Sequence, residues 1–262
     1  MPRDDGASLV PDFPENLRAI RERTPARIFV GRAGSAYRTS TQIDLREAQA
    51  AARDAVRAEM DLQSVFGVEF IARWKLSEVT TEARSKEEFL LRPDLGRRLS
   101  DSAREEIAKR CTRGRDIQIA IGDGLSVTAV AAQVPALLPL LGEGARARGW
   151  TVGQPFVIRH CRVGVLNEIG ELLAPSVAVL LIGERPGLAT AESLSAYMAY
   201  QPDKTHTDAN RNLISNIHAR GLTPHAAAGR ILNLAAQMIA RQVSGFGIRE
   251  QLHDARTPAI EA

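Results

Sequence analysis

The 262-residue sequence predicts an α/β fold, a Rossmann-like, mostly parallel sheet over residues 112–262 preceded by a mainly helical part. Three observations carry this expectation. Val177 to Ile182 is an unbroken apolar run without period-two alternation, the pattern of a strand covered on both faces. Asp116 to Ile121 is a β-branched run closed by Gly122-Asp123-Gly124. The segments between and after these runs carry helix signals, and alternating strands and helices imply parallel strands with helices on both faces.

Taken in order, residues 1–24 are rich in Asp, Pro, Arg and Gly with little apolar pattern, which predicts a loose or extended segment. The mainly helical part spans 25–111. In it, Ile28 to Val30 suits a short strand or an extended docking segment, and Leu45 to Met60 is dense in strong helix formers. A less regular stretch holds Trp74 and the charged run Lys86 to Glu88. Ser100 or Asp101 then caps a helix ending near Cys111. Past Asp116, helical segments are expected at Leu125 to Gln133 and Ala136 to Arg148, broken by Pro135 and Pro139. Pro155 to His160 reads as a strand, Val163 to Leu173 as a short strand or turn, and Ala191 to Tyr200 as a helix opened by Thr190 and Glu192. Leu213 to Ile217 is a further short strand. Thr223 as N-cap with Pro224 after it opens a last helix, whose Ala227, Ile231, Leu234 and Met238 recur at helical spacing and whose stop is Gly245.

Composition narrows the function classes. Hydrophobic residues make up 44% and charged ones 25%, ordinary for a globular protein large enough to bury a good core. No apolar run approaches the ~20 residues that cross a bilayer, and the N-terminus lacks the apolar core of a signal peptide. With Cys111 and Cys161 as the two cysteines, a reducing cytoplasm is the expected location. The net charge of +3 is small against 34 basic and 31 acidic residues, the arginines are scattered, and aromatics are 5%. A nucleic-acid face would need a basic cluster with stacking aromatics, so neither nucleic acid nor membrane is expected as a partner.

The sharpest local feature is Gly183-Glu184-Arg185-Pro186-Gly187, a rigid charged loop after a buried strand. Ligands of open α/β sheets gather at the carboxyl ends of strands. The plain alternative is a connecting turn whose Glu184 and Arg185 pair in solvent. Gly122-Asp123-Gly124-Leu125-Ser126 offers backbone donors at a second strand end, yet lacks dinucleotide-fingerprint spacing, and Asp123 would repel a phosphate. The five histidines form no metal-type pair, Cys161 reads as a buried small apolar group, and no Gly-x-Ser-x-Gly elbow is present. A self-contained, nucleotide-using Rossmann-like enzyme with Asp123 and Glu184 as acid–base residues is the rival reading.

Five segments in chain order are informative together: Thr24 to Gly34, Arg92 to Leu99, Gly122 to Ser126, Gly183 to Gly187 and Arg211 to Ile217. As a set they resemble the small (light) subunit of ethanolamine ammonia-lyase, an adenosylcobalamin-dependent enzyme, from about Thr24 to Gly247. The resemblance implies a hetero-oligomer in which this chain helps hold the corrinoid. The large (heavy) subunit's barrel then carries the substrate and the radical chemistry, so no catalytic residue falls in this chain. It also implies a cytoplasmic setting, with a bacterial microcompartment as a setting family members often occupy. Three cofactor-contact positions carry over: Val163, Glu184 and Leu213. Leu213 stands where the family motif has Cys, Cys161 replaces an expected Gly, and Leu166-Asn167 replaces Gly-Asp. The Asp-x-His-x-x-Gly motif of the cobalamin domains that displace the nucleotide base is absent, so cobalamin is expected with its own dimethylbenzimidazole on cobalt.

Overall fold

The computed structural model describes residues 15–250 except 25 and 27. The first fourteen residues of the segment expected to be loose lie outside the described residues. In chain order the elements are α1 (Glu15–Glu22), β1 (Arg32–Ala33), β2 (Ala36–Tyr37), α2 (Thr39–Arg57), α3 (Leu62–Trp74), β3 (Glu78–Thr80), α4 (Lys86–Leu91) and α5 (Asp101–Arg110). They continue with β4 (Ile117–Gly122), α6 (Val127–Ala147), β5 (Phe156–Arg159), α7 (Val165–Leu173), β6 (Val177–Gly183), β7 (Leu194–Tyr200), β8 (Asn212–Ile217) and α8 (Pro224–Arg241).

Six strands form one mixed sheet in the order β3-β5-β4-β6-β7-β8. β3, β5, β4 and β6 run parallel, β7 runs antiparallel to β6, and β8 runs antiparallel to β7. One core lies between the sheet and α6, α8 and α3, with Leu137, Leu138, Leu141, Ile231 and Met238 fully buried or nearly so. The other lies between the opposite face and α5 and α7, built on Ile107, Ile158, Ile169 and Leu180. Strands β4 and β6 are buried at every residue because both faces are covered. The fold class is thus α/β. The part before residue 112 joins the sheet through β3, which pairs with β5.

Several local expectations change. Ala191 to Tyr200 is not a helix: Leu194–Tyr200 is strand β7, paired along its length with β6. Its alternation explains why, since Leu194, Ala196 and Met198 enter the first core while Tyr197 packs on the second. Val163 to Leu173 holds no strand: a turn at Val163 and Gly164 leads into helix α7, where Val165, Leu166, Ile169 and Leu173 make a buried stripe at helical spacing. The two prolines do not break α6; it runs continuously across both. Its stripe of Val127, Val130, Val134, Leu137, Leu141 and Ala145 stays in register with the sheet and α8, and that burial outweighs the hydrogen bonds the prolines remove. This helix has the length and mean hydropathy, 1.3, to cross a membrane, but the stripe is buried as in a core helix. The less regular stretch around Trp74 contains α3, bent at Gly67. Ile28 to Val30 is not a strand, and Glu15–Glu22 is helical rather than extended. The last helix ends before Gly245, at Gln242 in the left-handed region.

Other signals hold. Ser100 and Thr223 cap their helices as expected, each accepting a backbone N–H three residues on, and Ser126 does the same for α6. Both thiols are buried: burial pushes Cys111 up to about 11 and pushes Cys161 well above its ordinary value. Only a thiolate attacks a disulfide reagent. Titration with Ellman's reagent at pH 8 should therefore find both cysteines unreactive in the folded protein and both reactive in denaturant. Fast modification of either native thiol would contradict the burial.

Candidate functional site

The crevice forms where the chain leaves β4 and β5 toward opposite faces of the sheet. β4 feeds α6 on one side and β5 feeds α7 on the other, the arrangement that opens a ligand crevice at strand carboxyl ends. Two depressions lie here. The inner, about 170 Å³, is lined by Val163, Glu184, Arg185, Cys161, Gly124 and Tyr197. The outer, about 460 Å³, is lined by Glu184, Arg185, Tyr197, Ser193, Leu213 and Ser215. Glu184, Arg185 and Tyr197 belong to both, so the three positions expected from the sequence, Val163, Glu184 and Leu213, fall along one continuous surface.

Glycines set its floor. A Cβ on Gly183 would stand 2.0 Å from the Ser126 carbonyl oxygen and 2.7 Å from that of Asp123. Gly124 has φ +55°, and a Cβ there would lie 2.3 Å from the Gly183 carbonyl oxygen. The loops after β4 and β6 therefore touch backbone to backbone, and the Leu125 N–H donates to the Gly183 carbonyl at 3.1 Å. Ser126 Oγ donates to the Ala191 carbonyl at 2.6 Å, and the Glu184 N–H to the Ser193 carbonyl at 3.0 Å, closing the 184–193 loop.

Glu184 does not pair with Arg185 in solvent. Its carboxylate accepts from the Ser195 hydroxyl, which is buried on β7. Ser195 and Tyr197 share a strand face, and the Tyr197 phenol is raised by burial and then by the nearby Glu184 charge. Tyr197 was hidden from sequence reasoning by the helical reading of its segment; strand alternation is the signal that finds it. Leu213 pairs with Tyr197 across the β7–β8 ladder and is 46% exposed.

Asp123 lies beneath this surface. It is fully buried; its Oδ1 accepts the Cys161 N–H at 2.8 Å, and its Oδ2 faces Lys86 Nζ at 3.6 Å. Lys86 also donates to the Gly124 carbonyl at 3.2 Å. This pair ties the loop after β4 to the loop carrying Val163, and it removes Asp123 from any substrate. The acid–base role the rival reading gave Asp123 is therefore not open to it in this arrangement.

No histidine lines either depression, and among the described residues no cluster of three or more His, Cys, Asp or Glu is placed to hold a metal. The surface offers a carboxylate acceptor, hydroxyls, a guanidinium and exposed apolar side chains. Such a donor set fits a large amide-rich molecule lying across it, and neither depression encloses one. Gly183→Ala should lower stability by ~1–3 kcal/mol or more, because the methyl meets a rigid carbonyl. The urea midpoint measures this, and an unchanged midpoint would show that the two loops can part.

Comparison with known proteins identifies the family. The family model described as Ethanolamine ammonia-lyase light chain (EutC) matches residues 14–249. A relative from Clostridium perfringens named ethanolamine ammonia-lyase small subunit is 39% identical over 244 residues, covering 92% of this chain and 81% of its own. Relatives of the same name from Clostridium acetobutylicum and Listeria monocytogenes are 38% and 37% identical, each covering 90% of this chain and 95% and 78% of their own. With a family match across nearly the whole crevice-bearing fold, this chain belongs to the ethanolamine ammonia-lyase light-chain family.

Proposed function

We propose that this chain is the cobalamin-contacting subunit of an adenosylcobalamin-dependent ethanolamine ammonia-lyase. With its large subunit it would convert ethanolamine to acetaldehyde and ammonia in the cytoplasm, including within a microcompartment. The observation that carries the reading is the continuous surface joining Val163, Glu184 and Leu213 in a member of this family. The bound cofactor supplies the radical chemistry. This chain's residues would hold it: Glu184 accepts from corrin amide N–H groups, Val163 and Leu213 press apolar surface against the ring or its nucleotide, and Tyr197 shapes the wall between them. With no histidine on the surface, the cofactor would keep its own base on cobalt. An open face covers only one side of a corrinoid, so the large subunit would supply the other wall and exclude water.

Purified alone with adenosylcobalamin, the chain should release no ammonia from ethanolamine; adding the large subunit should restore turnover. Sustained activity of the isolated chain would end the proposal. In the reconstituted enzyme Glu184→Ala should weaken cofactor binding by ~1.5–3 kcal/mol, the worth of a hydrogen bond to a charged acceptor. Glu184→Gln should weaken it less, and both should regain most turnover at saturating cofactor. If Glu184→Gln abolishes kcat while affinity stays normal, Glu184 takes part in the chemistry and the division of labour is wrong.

Leu213 is tested differently. Its exposed side chain can contribute packing without a thiol, so Leu213→Cys should change cofactor affinity by no more than a few-fold. A gain beyond ~tenfold, about 1.4 kcal/mol, would show that the thiol makes a contact this chain lacks.

A further inference from the structure

Around the amino end of α7, arginines outnumber their partners. The Arg97 side chain lies across Gly164, where a Cβ would come within 2.8 Å of its Cγ. The Arg162 side chain crosses Gly96 in the same way, at 2.7 Å, and its guanidinium sits 4.3 Å over the Phe89 ring. The two arginine side chains thus cross the paired 96–97 and 162–164 segments side by side, and Arg162 Nη2 donates to the Phe89 carbonyl at 3.4 Å. Among the described residues neither arginine has a carboxylate at ion-pair distance, and the buried Arg162 Nε has no hydrogen-bond partner. The nearby carboxylates are engaged elsewhere: Glu168 binds Arg104 and the Leu99 N–H, and Asp208 binds Arg211.

The electrostatics record the imbalance. Burial lowers the Arg162 pKa, and the Arg97 charge lowers it further. Burial also lowers Arg211, where Asp208 opposes the shift and Arg97 adds to it. Three cations held together this way favour an anion between them. Each arginine borders open space: Arg97 and Gly164 line a cavity of about 400 Å³, and Arg162 and Val163 line the inner depression. The amino end of α7 adds its dipole in the same sense.

We propose that Arg97 and Arg162 form a phosphate-binding site beside Val163 that takes the phosphodiester of the corrinoid's nucleotide arm. This rests on the function proposed above and gives it polarity: Glu184 receives amide donors at one end of the surface, and the arginines receive the cofactor's anionic group at the other. Planar guanidinium groups suit a phosphodiester because each can donate two parallel N–H bonds to its oxygens.

The test compares adenosylcobinamide with adenosylcobinamide phosphate, which differ by the phosphate, on the complex reconstituted with the large subunit. The wild type should bind the phosphate-bearing probe at least tenfold more tightly. Arg97→Gln, at an exposed residue whose loss should spare the fold, should erase most of that difference and leave the phosphate-free probe unaffected. Equal binding of the two probes by the wild type, or a variant that weakens both alike, overturns the phosphate site alone. A wild-type complex that binds no corrinoid overturns the proposed function and this site with it. Inorganic phosphate should compete with the phosphate-bearing probe; phosphate bound at Arg97 without such competition would assign the site to a free anion and overturn the cofactor assignment.

Discussion

The crevice depends on one contact, the meeting of two backbones at Gly124 and Gly183. Carbonyl oxygens occupy the places where both Cβ atoms would stand, so the loops after β4 and β6 close to a distance no other residue pair allows. From that contact follow the position of Ser126, which caps α6 and holds the Ala191 carbonyl, and the position of Glu184, one residue beyond the glycine. The carboxylate is then fixed by Ser195 from the neighbouring strand. A rigid acceptor loses little freedom when it binds, which is why a carboxylate on a clamped loop serves recognition better than one on a mobile side chain.

The mixed sheet explains why the surface is open. β4, β5 and β6 are covered on both faces, whereas β7 and β8 are covered on the α8 side; opposite it Tyr197 is half-buried and Leu213 and Ser215 are exposed. Antiparallel strands tolerate one solvated face. The antiparallel return thus extends the crevice into a broad wall, and a broad wall suits a large flat ligand or a partner surface better than a closed pocket does. Below it, the buried Lys86–Asp123 pair connects α4 to both loops. Removing one member would strand the other charge in the core, at ~3–5 kcal/mol. Asp123 is thereby a structural residue despite standing at a strand end where ligands gather.

Much of this was legible in the sequence, and what was not has identifiable causes. The central strands were readable because residues buried on both faces must be apolar throughout, as Val177 to Ile182 are. The helix caps at Ser100 and Thr223 were readable because capping needs a short oxygen-bearing side chain. β7 was not, because Thr190 and Glu192 imitate a helix start and Ala196, Met198 and Ala199 are helix formers; pairing with β6 on one side and β8 on the other overrode that preference. α6 was divided at its prolines because local rules count a lost hydrogen bond and cannot count the stripe buried against α8. Val163, Glu184 and Leu213 came from motifs in chain order, while Tyr197 and Arg97 needed the fold.

Charge is distributed along the crevice in a way composition could not reveal. A net charge of +3 conceals a carboxylate clamped at Gly183-Glu184 and a pair of arginines crossing Gly96 and Gly164. Val163, packed on the second core, lines the inner depression with Glu184 and Arg162. Acceptor and cations at different points along one crevice can distinguish the parts of a ligand that each receives. Such discrimination needs no histidine and no catalytic group. It needs the loops after β4, β5 and β6 to keep their spacing, which returns the requirement to the two glycines and to the Asp123 carboxylate that holds the Cys161 N–H beneath them.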